Sequence, residues 1–88
     1  MNRIQVILAI DTANLPTNFQ EIVKHEQELL FNWKEQGFLE HLYLSEYKDA
    51  AFLIFKDVDD LKVKQLIETL PLFQFKKSVE YFKLVQQF

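Results

Sequence analysis

Residues 39–58, LEHLYLSEYKDAAFLIFKDV, decide how this chain is read. Two apolar runs, 39–47 and 50–58, are rich in Leu, Tyr, Phe and Ile and show no helical spacing, so they read as strands. Lys48 and Asp49 stand between them as a tight hairpin turn, although no Gly is present to fix the turn type. Alternation places Leu42 and Leu44 against Tyr43, and Phe52 and Ile54 against Leu53 and Phe55. Both faces of the hairpin are therefore apolar.

Outward from the hairpin, Gly37 is the natural stop of a helix that runs back to a cap at Thr17 or Asn18. Phe19, Ile22, Val23, Leu29, Leu30 and Trp33 form its apolar stripe. Upstream of a turn segment holding Asn14-Leu15-Pro16, residues 4–11 read as a first strand. Downstream, acids at 57–60 open a second helix at its positive end, and Pro71 is expected to end it. Residues 78–85 complete the order as a fourth strand, with Val79 and Tyr81 against Phe82 and Leu84. The order β-α-β-β-α-β with no linker predicts one α+β domain over 1–88, a ferredoxin-like sandwich with its helices on one face of the sheet. Two helices cannot cover both apolar faces, so the second face is expected to meet another copy of the chain.

Composition narrows the function classes. The 88 residues are 49% hydrophobic and 15% aromatic with nine Phe, a heavy apolar load for a small surface. A net charge of -3 steers the protein toward neither nucleic acid nor an anionic membrane. The absence of Cys removes disulfides and thiolate chemistry, and with only two His no metal site is expected. A single Gly leaves no phosphate-cradling loop, and no cofactor is expected. The apolar run after Arg3 is too short for a membrane span and has no small-residue cleavage site, which makes a cytoplasmic protein the expectation. RNA-recognition motifs share the element order, and residues 48–55 imitate their octapeptide superficially. Asp49 stands at the Gly, Ala50 at a stacking aromatic, and the first strand has no aromatic to complete the platform.

Several landmarks resemble the muconolactone delta-isomerase family. They are Gln36-Gly37, His41-Leu42-Tyr43, Tyr47, a strand ending in Ile54-Phe55, and Leu70-Pro71-Leu72-Phe73, with Asn14-Leu15-Pro16 after the first strand. The family's corresponding pattern has Gln-Gly, His-Leu-Trp-Arg, a Tyr, Ile-Phe and Leu-Pro-Leu-Phe at the same separations. The resemblance implies a dimeric α+β barrel, assembled further into a ring, and a cofactor-free proton shift within an unsaturated lactone in aromatic-compound catabolism.

Glu26 lies near the middle of the first helix's apolar stripe, where burial raises a carboxyl pKa toward the range a general acid/base needs. The family carries a Glu there too, so Glu26 is the candidate catalytic residue; the competing reading is a Glu that bends to solvent or pairs with a Lys. His41 matches the family's His and is the second catalytic candidate. It shares its strand face with Tyr43 and Ser45, a possible polar pocket for a small-molecule ligand, although a His hydrogen-bonded within an interface fits equally. Tyr47 and Phe73 are candidate substrate-binding walls, with core packing as the commoner fate of such aromatics. Leu44 stands where the family has an Arg suited to holding a carboxylate, and Tyr43 replaces its Trp, which implies a diverged substrate. The alternatives are a non-catalytic ligand-binding or assembly module, and another enzyme of the same barrel group such as a cofactorless monooxygenase.

Overall fold

The computed structural model describes residues 3–88. Strand β1 (Arg3–Ile10) leads through a short 3-10 turn (Thr12–Asn14) to helix α1 (Phe19–Gln36). Strands β2 (Leu39–Leu44) and β3 (Ala50–Lys56) follow, then helix α2 (Asp60–Glu68), a second 3-10 turn (Pro71–Phe75) and strand β4 (Lys76–Leu84). The strands form one four-stranded sheet in the order β2-β3-β1-β4, antiparallel throughout. This is the ferredoxin-like α+β arrangement expected from the order of elements.

Alternation along the central strands builds the core. Ile4, Val6 and Leu8 of β1 and Leu53 and Phe55 of β3 are buried on one face, beneath Leu30 and Trp33 of α1 and Val63 and Ile67 of α2. Trp33 packs against Phe55 at 5.9 Å and Phe38 at 6.4 Å between ring centroids, within the range of favourable tilted aromatic pairs. Gly37 ends α1 with φ 92, a left-handed conformation that glycine adopts without Cβ strain, and its N–H donates to Lys34 O.

Element ends differ from the sequence reading: β1 spans Arg3–Ile10 instead of 4–11 and β4 spans Lys76–Leu84 instead of 78–85, and the following differences each have a local reason. The hairpin turn is not the pair Lys48-Asp49 but spans 45–49. Ser45 Oγ accepts from the Asp49 and Ala50 N–H groups and donates to Asp49 Oδ1, which ends β2 at Leu44 instead of 47. Asp57 adopts φ 58, a left-handed conformation that stops β3 at Lys56 instead of 58. Asn18 occupies the position before α1 without a side-chain cap; its backbone carbonyl accepts from Glu21 and Ile22 instead. Helix α2 ends at Glu68, before Pro71: Leu70 is held extended as a residue preceding proline, and Pro71 opens the 3-10 turn. At the other end of α2, Asp59 caps the helix by accepting from Lys62 N at 2.7 Å.

The opposite face of the sheet carries no helix. Cross-strand rows run His41–Ile54–Gln5–Phe82 and Tyr43–Phe52–Ile7–Glu80. Tyr43 is 59% exposed and Phe82 and Leu84 are also exposed there. Apolar side chains make up most of these rows, interrupted by His41, Gln5 and Glu80. No helix among the described residues is long and apolar enough to cross a membrane.

Candidate functional site

Glu26 is half-buried on α1, where the helix packs against the 3-10 turn Pro71–Phe75. The Leu72 N–H donates to Glu26 Oε1 at 3.0 Å. Leu72 lies in the first turn of that short helix, where backbone N–H groups lack partners within the helix, so a carboxylate from α1 satisfies one of them. No other hydrogen bond reaches Glu26 among the described residues, which leaves Oε2 open. Burial raises the Glu26 pKa above its ordinary value, and the Leu72 N–H offsets part of that rise.

The raised pKa has a consequence for stability. A carboxyl whose folded pKa exceeds its unfolded value stabilises the fold fully below the ordinary carboxylate range. That contribution is lost as pH rises through the raised value. Glu26→Gln keeps an acceptor for Leu72 and removes the titration. Urea midpoints of the wild type, measured against this variant, are expected to fall as pH rises from the ordinary carboxylate range through the raised value. A constant difference across that range would show that burial does not govern the group.

His41 and Tyr43 stand on the helix-free face, with ring centroids 6.0 Å apart. A bulge in β2 puts them there: Leu39 pairs with Phe55 and is buried in the core, whereas His41 pairs with Ile54. The extra residue, Glu40, reaches across β3 to Arg3, whose Nε and Nη2 donate to its carboxylate at 2.7 and 2.9 Å. That bidentate contact holds the Glu40 carboxyl below its ordinary pKa.

The candidate residues are thus not brought into one pocket. Within a protomer, Glu26 lies on the helical side of the sheet and His41 and Tyr43 on the other. Ser45 Oγ is engaged in the hairpin turn, bonded to Asp49 and Ala50. Tyr47 is 84% exposed on the same turn. Phe73 shares the helical side with Glu26; it is half-buried against the core, with the Lys76 ammonium 4.3 Å from its ring centroid. Leu44 is on the helical side at the exposed edge strand, 55% exposed.

A groove of about 370 Å³ opens between α1 and β2, with Leu30, Phe31, Lys34, Leu39, Glu40 and Leu42 among its lining residues. Of the two catalytic candidates, His41 lines this groove and Glu26 does not. Sequence reasoning missed this groove because Phe31 and Lys34 fall off the apolar stripe and read as solvated positions. Among the described residues no cluster of His, Asp and Glu is arranged to hold a metal ion.

No family model matches the chain, and no curated protein matches it. Among solved structures, the crystal structure of muconolactone isomerase aligns with a TM-score of 0.77, covering 99% of this chain and 91% of that chain at 18% identity. A structural-genomics protein named YJCS aligns with a TM-score of 0.46 at 14% identity, covering 96% of this chain and 98% of that one. The first match shows the fold: this chain has the same ferredoxin-like α+β architecture as that structure.

Proposed function

We propose that this chain, built on the muconolactone isomerase fold, catalyses a cofactor-free proton shift on a small unsaturated lactone or carbonyl compound, with Glu26 as the acid/base. One observation carries the reading: Glu26 is anchored through Oε1 by Leu72 N while Oε2 is open and burial raises its pKa. A positioned carboxyl with a raised pKa is suited both to accept a proton from carbon and to return it. In the step, the C–H bond next to the carbonyl breaks and an O–H bond forms at Glu26 Oε2. The electron pair moves into the conjugated system, and the same proton returns at its far end. Nothing is oxidised or reduced, so no cofactor is required.

On this reading His41 and Tyr43 serve the contact between subunits, because they face away from Glu26 within a protomer. The protein assembles with copies of itself through the helix-free face. Aromatic-compound catabolism in the cytoplasm is the setting that the family resemblance implies.

The test is an ultraviolet assay of double-bond migration by the purified protein across a panel of acidic and uncharged unsaturated lactones and enones, muconolactone included. Turnover is expected in the wild type, with a loss of about a hundredfold to ten-thousandfold in Glu26→Gln. Equal turnover by the variant, or none by a folded wild-type protein, overturns the reading. A second reading, a non-catalytic ligand-binding or assembly module, is favoured by the Leu72–Glu26 bond itself. On that reading Glu26 is only a structural tie between α1 and the 3-10 turn. Leu44, which offers no charge to an acidic lactone, fits it as well.

A further inference from the structure

The groove between α1 and β2 has a charge and a shape of its own. Leu30 and Leu39, both buried, form its apolar base, while Leu42 and Phe31, which is 60% exposed, stand at its sides. Its ionisable lining residues are Lys34, Glu40 and His41, of which Lys34 and Glu40 carry a formal charge at neutral pH. Glu40 is neutralised by the bidentate contact with Arg3. Lys34 forms no ion pair among the described residues. The groove therefore presents one uncompensated cation beside apolar side chains.

We propose that this groove binds a small amphipathic carboxylic acid, its apolar body against Leu30, Phe31, Leu39 and Leu42 and its carboxylate against the Lys34 ammonium. A volume of about 370 Å³ lies in the range of small-molecule pockets and is too small to seat a folded partner. A neutral apolar ligand leaves the Lys34 charge unused, and a cationic one is repelled by it. Glu26 does not line the groove, which reaches His41 at its β2 side, so this site stands or falls separately from the acid/base role of Glu26.

The test is a titration of the full chain, in its native assembly state, with 4-phenylbutanoate and with its neutral analogue 4-phenylbutanamide, followed by amide NMR. The acid is expected to shift the Phe31, Lys34 and Leu42 amides saturably and to bind about fivefold more tightly than the amide analogue, the scale of an exposed charge pair. Lys34→Gln should erase that difference by weakening the acid alone. Leu42→Asp, at an exposed edge-strand position, should abolish binding of the acid while the remaining sheet amides stay in place. Glu26→Gln should leave binding unchanged even if it removes turnover. Equal binding of acid and analogue, an unaltered affinity in Lys34→Gln, shifts confined to the helix-free face, or no saturable shift with either probe would each overturn the proposal.

Discussion

Phe55→Ala is expected to remove about 3–5 kcal/mol of folding stability, the usual cost of emptying a large aromatic site in a core. Phe55 is 0% exposed and sits on β3 opposite Ile4 of β1 and Leu39 of β2, with the Trp33 ring above it. Its side chain thus joins two neighbouring strands to α1. Small domains have about 5–15 kcal/mol in total, so the variant should be largely unfolded at modest urea. Urea unfolding followed by Trp33 fluorescence, at one fixed protein concentration, measures the loss. Phe88→Ala is the control: that residue is fully exposed and its removal should cost under about 0.5 kcal/mol. A loss below about 1.5 kcal/mol for Phe55→Ala would mean that the core is packed otherwise than described.

Phe52→Glu is expected to leave the protomer folded and to disrupt assembly. Phe52 lies in the middle of the helix-free face, opposite Ile7 on one side and Tyr43 on the other. If two sheets pack through this face, the new carboxylate is buried without a partner in each copy. Association should weaken by at least about a hundredfold, or about 2.7 kcal/mol. Sedimentation velocity over a range of concentrations reads the effect, with circular dichroism to confirm that the sheet persists. A wild-type chain that stays monomeric at high concentration, or a variant that assembles as well as the wild type, would refute assembly through this face.

Much of the fold was legible before any coordinates. The stripe of α1 is continuous enough, and Gly37 placed well enough, that the helix end could be read to the residue. Strand order within the sheet follows from the β-α-β-β-α-β arrangement, because right-handed crossovers leave few ways to pack the helices on one face. Element ends were less legible. Ser45 reads as a strand residue by alternation, yet its hydroxyl competes for the Asp49 and Ala50 N–H groups and turns the chain early. Asp57 likewise reads as part of a strand until its left-handed backbone shows otherwise.

The candidate site divides along the same line. Glu26 could be picked out because a carboxylate amid an apolar helical stripe is visible from spacing alone, and burial does raise its pKa. Its partner could not be found that way: Leu72 contributes a backbone N–H, which leaves no mark in residue type, and lies far along the chain. Within a protomer, Glu26 and His41 lie on opposite sides of the sheet for a related reason. Period-two alternation places Leu39, His41 and Tyr43 on one face, but the bulge at Glu40 sends Leu39 into the core and leaves His41 and Tyr43 on the other side.

By itself, then, the sequence determined the elements, their order and the apolar excess that calls for a second covering layer, because these depend on periodicity and composition along a local stretch. Only the tertiary structure decided which side of the sheet each candidate faces, that Arg3 neutralises Glu40 and leaves Lys34 uncompensated, and that Glu26 meets the turn at Leu72. Those outcomes depend on register and on contacts between residues distant in the chain, where a single added residue in one strand exchanges the two faces.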